Sequence, residues 1–461
     1  MNQKLTIREK VGYGFGDFAS SMFWKLFSVY LLFFYTDIFG ISAAVAGTMF
    51  LVTRIWDTAF DPVIGIISDR TQTKWGKFRP YLLWVAIPFG IIGILTFTTP
   101  ELSITGKVIY AYVTYTLMMM IYSAINVPYA SLLGVMSNDP KERTTLATYR
   151  FVFAFAGSIL VLAGAEPLVN FFTSKLSTST ATGWQMTVAV FAILASILFL
   201  LTFLWTREKI NPPKEQKTSL SKDLKDLGRN RPWFILLGAG VATLIFNSLR
   251  DGTAIFYFKY YILNQEAFKI NAFNLSINYS SLYLVLGQAA NIIGVVLAKP
   301  VSDKIGKKNT FGWAMVFASI LSVFFFYFKE DDIILIFIFQ FLISVCAGSI
   351  FPLLWSMYAD IADYSEWKTG RRATGLIFSS SSMSQKLGWT LGGALTGWLL
   401  AMFGFEANTL QEAGTQTGLR MMMSFIPAAG AIISAAFILT YSLSEQKMTE
   451  IEKDLNERRK Q

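Results

Sequence analysis

The sequence predicts an all-α polytopic membrane protein whose twelve transmembrane helices form two six-helix halves. Three observations lead to this fold class: the composition, the spacing of the apolar runs, and a repeat at half the chain length. Hydrophobic residues make up 53% of the 461 residues and charged residues only 15%, whereas a soluble domain has about 25% charged residues. Because so few charges could not cover the surface of a soluble protein of this length, most of the chain is expected to lie in lipid.

Twelve apolar runs are long enough to cross a bilayer, which takes about 20 residues for ~30 Å of hydrocarbon. The run at 232–261 is weakened by Arg250, Asp251 and Lys259. The polar start of the chain, at 1–10, is followed by a run that is too long for a cleaved signal peptide. The predicted spans lie near 11–38, 43–67, 80–99, 106–136, 147–172, 184–205, 232–261, 279–300, 310–328, 333–359, 373–403 and 420–442.

Basic residues are distributed unequally between the two sides of this layout. One side carries 30 of the 40 Lys and Arg residues and the other side carries six, while four lie inside spans. Cytoplasmic loops of membrane proteins are enriched in Lys and Arg. The asymmetry therefore predicts an inner-membrane protein with both termini and the 206–231 connection in the cytoplasm.

A short motif recurs after six spans. Ser68-Asp69-Arg70 follows the second span, and Ser302-Asp303-Lys304 follows the eighth, 234 residues later. A repeat after an even number of spans predicts two halves with the same orientation, related by a pseudo-twofold axis along the membrane normal. Parallel halves with a substrate site between them near the midplane are the plan of major facilitator transporters. The predicted domains are a bundle at 1–205, a linker at 206–231, a second bundle at 232–442 and a tail at 443–461.

The residues that are missing exclude several functions. The chain has no histidine, which excludes Ser-His-Asp hydrolysis, histidine-ligated zinc and an imidazole proton relay. The single Cys346 cannot form an intrachain disulfide, and no phosphate-binding loop of an ATPase is present. The net charge of +10 follows from the basic cytoplasmic side and does not indicate nucleic-acid binding. We therefore expect neither an enzyme nor a bound cofactor.

Several motifs resemble those of one transporter family. They are Y-G-F-G-D at 13–17, R-I-W-D-T-A-F-D-P at 54–62, W-G-K-F-R-P at 75–80, N-V-P-Y at 126–129 and A-D-I-A-D-Y-S-E-W at 359–367. In this order they are similar to the glycoside–pentoside–hexuronide:cation symporters, which include the melibiose permeases. The likeness covers nearly the whole chain and is closer to the xyloside and uncharacterised sugar branch. It implies alternating-access uptake of a sugar or glycoside, driven by Na⁺ or H⁺.

The second span carries a candidate cation site. Arg54, Asp57 and Asp61 are spaced so that they share one helix face, and carboxylate oxygens suit a hard cation such as Na⁺. One arginine cannot neutralise two acids, although an Arg54–Asp57 ion pair with a purely structural role is the alternative. The resemblance implies that Asp57 and Asp61 bind the cation and that Ser123 contributes a hydroxyl oxygen.

The resemblance also implies a substrate site, with departures from the melibiose type. Ser21 and Asn126 stand where that type has acids, so we expect weak or no affinity for α-galactosides. Asp17 lies one turn before Ser21 and either contacts the sugar or pairs with Lys25 or Arg150. Lys386 either bridges to the acids of the second span, binds an acidic sugar, or is a structural counter-ion. The predicted substrate-binding residues are Asp17, Tyr122, Asn126, Arg150, Lys386 and Trp389.

Charged residues at the cytoplasmic ends of the spans are predicted to lock a gate: Asp69, Arg143 and Asp303. The Arg250–Asp251 pair is either a gate ion pair near the outer face or a ligand contact. The expected partners are a sugar or glycoside, a monovalent cation and the lipid bilayer, and the protein is expected to be a monomer. A lipid or lysolipid carrier of the same superfamily is the alternative function, and a non-transporting membrane sensor is a remote one.

Overall fold

The computed structural model describes residues 5–137, 140–209, 227–263, 266–270, 275–369 and 374–458. The described part is helical apart from one antiparallel hairpin, in which β1 (Glu266–Ile270) pairs with β2 (Leu275–Asn278). The helices that follow the predicted spans are α1 (Ile7–Phe39), α2 (Ala43–Arg70), α3 (79–96), α4 (Ile104–Met136), α5 (Pro140–Lys175), α6 (Thr180–Trp205), α7 (Arg231–Ile262), α8 (Tyr279–Ile305), α9 (Lys307–Phe324), α10 (Ile333–Thr369), α11 (Thr374–Met402) and α12 (Ala413–Leu439). A further helix, α13 (Glu445–Arg458), ends the described chain.

A helix occupies each of the twelve predicted spans within the described residues. Eight of them are long and apolar enough to cross a membrane by themselves, namely α1, α4 to α8, α10 and α12. The other four are α2, α3, α9 and α11. Of these, α3 is interrupted, since it consists of Arg79–Trp84 and Ala86–Thr96, and α2 carries the charges of the candidate cation site. Two π-helical turns, Leu26–Tyr30 and Phe34–Ile38, interrupt the regular geometry of α1.

Short polar side chains start several of these helices. Thr6 forms a capping box with Glu9, in which each side chain bonds the backbone N–H of the other residue. Ser42, Ser103 and Ser179 each accept a hydrogen bond from the N–H three residues later. These contacts satisfy backbone donors that lack a partner in the first turn of a helix.

The chain divides into two compact units. In the first, α1 packs on α5 and α6, and α2 packs on α4. In the second, the helices six positions later repeat this pattern: α7 packs on α11 and α12, and α8 contacts α10 closely at Gly294 and Gly348. The hairpin, the first turns of α8 and residues 405–410 group with the first unit. The predicted linker at 206–231 lies largely outside the described residues, and the predicted domain bounds stay a prediction.

The W-G-K-F-R-P motif binds the end of α6. The carboxylate of Glu208 accepts the backbone N–H groups of Lys77, Phe78 and Arg79 at 2.9, 2.7 and 3.0 Å, where the positive end of α3 favours an anion. Gly76 has φ +110°, and a Cβ atom there would lie 2.4 Å from the Glu208 carboxyl group. The motif therefore requires glycine at this position for both backbone and spatial reasons.

The next residue extends this contact to two more helices. The backbone N–H of Lys209 donates to the carbonyl of Val135 at 2.9 Å, and its ammonium lies 2.7 Å from the Glu9 carboxylate. We name the contacts of Glu208 and Lys209 the clasp. It joins the end of α6 to the start of α1, the end of α4 and the start of α3.

Removing the clasp carboxylate should destabilise the first unit. We expect Glu208→Ala to lower the free energy of unfolding by about 2 kcal/mol, because three backbone donors lose a charged acceptor. Gly76→Ala should have a similar effect, because the new methyl group overlaps the carboxylate and the backbone is strained. The measurement is thermal unfolding of the purified protein in detergent. Glu101→Ala, at an exposed acid, is the matched control, and an equal shift in that variant would contradict the assignment.

Candidate functional site

Polar side chains of α1, α2, α4 and α5 meet inside the first unit. The glycines of the Y-G-F-G-D motif allow this, because a Cβ atom on Gly16 would lie 2.3 Å from the ring of Tyr129. On α5, Gly157 likewise faces the backbone of Phe18. Small residues at such crossings let helices approach closely. The motif therefore places Asp17 directly against α4 and α5.

Asp17 is paired with Arg150. The guanidinium Nε donates to one carboxylate oxygen, and Nη2 lies 3.3 Å from the other. The guanidinium also lies over the Tyr129 ring, 5.3 Å from its centre, and the Tyr129 hydroxyl donates to the Tyr13 carbonyl at 2.6 Å. Bidentate pairing fixes both the charge and the orientation of Arg150. The ion pair with Arg150 is thus one of the two outcomes that the sequence left open for Asp17.

Asn126 links α4 to α1. Its carbonyl oxygen accepts the Ser20 hydroxyl at 2.6 Å, and its amide donates to the Tyr122 carbonyl at 3.0 Å. The hydroxyl that contacts Asn126 is therefore Ser20, next to the Ser21 position that the resemblance emphasised. This pair is uncharged, and each member keeps hydrogen-bonding capacity. It suits a ligand with hydroxyl groups better than a ligand with a charge.

Asp57 is buried on α2, with 1% of its surface exposed. The Ser123 hydroxyl donates to one oxygen at 2.6 Å. The other oxygen lies 3.7 Å from Nη1 of Arg54, which is beyond hydrogen-bond length. Asp61 lies one turn further along α2 and is half-buried. The structure thus brings Asp57 and Ser123 into direct contact, with the Arg54 guanidinium beside the same carboxylate.

Trp24 lies between the acid site around Asp57 and the Ser20–Asn126 pair. The Arg54 guanidinium lies over its ring, 4.5 Å from the centre, and the ring centre of Tyr122 is 6.0 Å away. On α4, Ser123 and Asn126 are three residues apart and so share one helix face. The acid cluster around Asp57 and the Ser20–Asn126 pair are therefore held by adjacent turns of the same helix.

The composition of this site restricts the ion that it can hold. Among the described residues, no group of three or more Cys, Asp and Glu side chains is close enough to form a metal cage. A carboxylate with a neighbouring hydroxyl is instead a site of hard oxygen ligands. This chemistry fits a hard cation.

Lys386 and Trp389 lie on α11 in the second unit. Lys386 is half-buried, and the Ser248 hydroxyl donates to the Trp389 carbonyl at 3.2 Å. A Cβ atom on Gly388 would lie 2.5 Å from Leu244, so α11 touches α7 closely, as the glycine-rich sequence predicts. The roles of Lys386 and Trp389 toward a substrate stay predictions.

The predicted gate residues are described only in part. The side chains of Asp69 and Arg143 lie outside the described residues, and Asp303 is exposed. Arg250 is buried in the second unit, where it donates to the Met423 carbonyl at 2.7 Å and to the Gln340 side chain at 2.9 Å. The Met423 carbonyl lies at the interruption of α12, before Ser424. Arg250 therefore stabilises a broken helix inside its own unit.

Sequence reasoning missed one acid on α5. Glu166 is half-buried and accepts the Ser280 hydroxyl at 2.9 and 3.0 Å, together with the Asn278 amide. These donors are neutral and lie at the end of β2 and the start of α8. An acid inside the otherwise uncharged run at 151–172 was the signal that could have identified it.

The geometry described so far is that of a helical membrane protein with a buried acid–hydroxyl pair, and the comparisons with known proteins agree with it. Residues 12–445 match the family model described as MFS/sugar transport protein. The chain belongs to this family. It is thus a major facilitator protein that transports a solute across a membrane, and the prediction that it is not an enzyme is confirmed.

Two curated relatives of this transporter match it over almost its whole length. The inner membrane symporter YicJ of Escherichia coli (strain K12) is 36% identical over 441 residues, covering 95% of the transporter and 92% of the relative. The isoprimeverose transporter of Lactiplantibacillus pentosus is 36% identical and covers 95% of the transporter and 89% of the relative. A solved structure from work on proton-dependent oligopeptide transporters has a TM-score of 0.67 at 13% identity, covering 96% and 99% of the two chains. This last likeness shows the fold alone.

Proposed function

We propose that the transporter is a secondary active symporter that couples inward movement of Na⁺ or H⁺ to uptake of a sugar or glycoside by alternating access. The observation that carries the proposal is the contact between Asp57 on α2 and Ser123 on α4, three residues before Asn126. The names of the two relatives, a symporter and an isoprimeverose transporter, support the same function.

The cation binds at Asp57 and Asp61, with Ser123 as a further oxygen ligand. A carboxylate inside a span is costly and usually marks an ion pathway, and Asp57 is 1% exposed. A bound cation stabilises this buried charge. The hydroxyl oxygen beside the carboxylate favours Na⁺ over H⁺, because Na⁺ requires several oxygen ligands.

The substrate is a neutral glycoside bound near Asp17, Ser20 and Asn126. The two-pronged pairing with Asp17 satisfies the charge of Arg150, so Arg150 does not offer a free cation to an acidic sugar. The rings of Trp24 and Tyr122 provide flat apolar surfaces, which suit the apolar face of a pyranose ring. Lys386 and Trp389 stay predicted substrate-binding residues of the second unit.

Counterflow with a panel of labelled glycosides, in buffer with and without Na⁺, tests the proposal. We expect exchange of xylosides and glucosides, at least tenfold faster with Na⁺, and weak or no exchange of melibiose and glucuronides. Preferred exchange of glucuronides would contradict the neutral-substrate assignment. Exchange that is unaffected by Na⁺ but responds to pH would show H⁺ to be the coupling ion.

The transporter lies in the cytoplasmic membrane as a monomer with both termini in the cytoplasm. The distribution of Lys and Arg supports this orientation. Reporters fused after Gln461 or inserted at 211–218 should be active in the cytoplasm, and one inserted at 406–416 should be active outside. A C-terminal reporter that is active outside would mean an odd number of spans and would contradict the two-half plan.

A further inference from the structure

An apolar groove runs along the outer surface of the second unit between α8, α9 and α10. Its volume is about 490 Å³, and its walls are almost entirely apolar. The main wall residues are Leu297, Val301 and Ile305 on α8, Trp313 and Phe317 on α9, and Cys346 on α10. From Leu297 to Ile305 the groove extends about 12 Å, at a rise of 1.5 Å per residue.

Small side chains create the groove. Ala298 and Ala314 line it between the larger residues. One turn before Ala298, α8 meets α10 backbone to backbone, since a Cβ atom on Gly294 would lie 2.1 Å from the Val345 carbonyl oxygen. The two helices are thus held together at one end of the groove, and the small residues leave the space open beside it.

The groove opens onto the surface that faces lipid. Trp313 and Phe317 on its rim are 57% and 53% exposed, and Val301 and Ile305 are 40% and 44% exposed. Water does not occupy apolar cavities stably, and the surrounding hydrocarbon of the bilayer has access. A hydrocarbon chain is therefore the occupant that matches the walls.

One end of the groove carries positive charge. Lys304 is three residues after Val301 and seven after Leu297, so it lies on the groove face of α8. Lys299 and Lys304 are both exposed, and neither has an ion pair within the part of the chain described. Nearby lysines are engaged: Lys307 bonds Asp360 at 2.9 and 2.8 Å, and Lys308 bonds the Tyr441 carbonyl at 2.7 Å. Together with the exposed Asp303, Lys299 and Lys304 give this end of the groove a net charge of +1.

We propose that this groove is a binding site for an anionic phospholipid, with an acyl chain along α8 and the phosphate at Lys304. Lys299 strengthens the attraction at longer range. Assigning the lipid to the cytoplasmic leaflet rests on the orientation given under Proposed function, whereas the binding itself does not. Long lysine side chains near helix ends commonly reach the headgroup region in this way.

Crosslinking with a photoreactive phosphatidylglycerol tests the site. The full-length protein in detergent is titrated with this lipid, and adducts are quantified on the peptides that contain 297–305 and 313–317. We expect the double variant Lys299→Gln with Lys304→Gln to weaken labelling by at least about fivefold, mostly through the loss of Lys304. Lys74→Gln with Lys453→Gln removes two exposed lysines elsewhere and should leave labelling unchanged. Unlabelled phosphatidylglycerol should compete better than phosphatidylcholine.

Two further variants distinguish headgroup from acyl-chain recognition. Asp303→Asn should strengthen labelling, because it removes the opposing charge. Ala314→Phe should reduce labelling by the photoreactive lipid, because the ring fills the groove without changing any charge. Labelling that is unchanged in the double lysine variant, or equal competition by the two lipids, would overturn the proposal. The readout is lipid labelling and not transport. A negative result would therefore contradict the lipid site without contradicting the proposed symport.

Discussion

Replacing Asp57 with Asn should abolish uphill accumulation of substrate while leaving the protein folded in the membrane. Asn has nearly the same shape as Asp, and its side-chain oxygen can still accept the Ser123 hydroxyl that bonds Asp57 at 2.6 Å. Only the negative charge is lost, and with it the electrostatic reason for a cation to bind. The ratio of internal to external substrate should fall to about one, since uptake is no longer driven by the ion gradient.

Three further variants give the Asp57 experiment its controls. Asp61→Asn should have the same effect if both acids hold the ion. Ser123→Ala removes one neutral oxygen ligand and should weaken the dependence on ion concentration by about tenfold, the equivalent of 1.4 kcal/mol, without abolishing accumulation. Glu101→Gln, at an exposed acid outside the site, should behave as the parent. Substrate binding should persist in both acid variants, because Asn126 and Arg150 are unchanged. Accumulation with unchanged ion dependence in Asp57→Asn and Asp61→Asn would place the cation elsewhere.

The Asp17–Arg150 pair should respond to substitution in opposite directions for neutral and acidic sugars. Arg150→Gln leaves the carboxylate of Asp17 in a largely buried place without its cation, which should weaken binding of a neutral glycoside by at least 30-fold, or about 2 kcal/mol. Asp17→Asn instead releases the charge of Arg150. We expect this variant to bind a glucuronide more tightly than the parent does, although it binds a neutral glycoside less tightly.

The double variant separates a direct role from a structural one. If the two residues act as a pair, Asp17→Asn with Arg150→Gln should bind a neutral glycoside better than Arg150→Gln alone, because no uncompensated charge remains. Binding constants from fluorescence or calorimetry, and melting temperatures in detergent, measure both effects. The prediction would be wrong if the losses in binding free energy were purely additive in the double variant and if Asp17→Asn did not bind the glucuronide more tightly. The pair would then not determine whether neutral or acidic sugars are preferred.

The helices were largely predictable because length and hydropathy are local properties. Each predicted span contains a helix, and the polar face of α2 follows from the spacing of Arg54, Asp57 and Asp61. The interruptions at Val85 and Ser424, and the two π-helical turns of α1, were not predictable. They depend on contacts with other helices, such as the hydrogen bond from Arg250 to the Met423 carbonyl.

The candidate site was predictable in its residue types but not in its pairings. The motifs indicated Asp17, Asn126 and Arg150, yet the sequence left two bases open as partners of Asp17. The choice of Ser20 as the partner of Asn126, and of Trp24 as the surface beneath Arg54, depends on how α1 rotates against α4 and α2. Such rotations are set by packing at positions like Gly16, which local sequence patterns do not encode.

The clasp at the end of α6 determines where the transporter can be divided into two chains. All contacts of Glu208 and Lys209 described above reach back to residues of α1, α3 and α4 and the loop before α3. A backbone cut after Lys209 therefore leaves the complete clasp in the N-terminal fragment, whereas a cut before Glu208 transfers it to the other chain and exposes the N–H groups at 77–79. Co-expressed halves should therefore be separated after residue 209, and a fragment that ends at Trp205 would lack the contacts that close its own bundle.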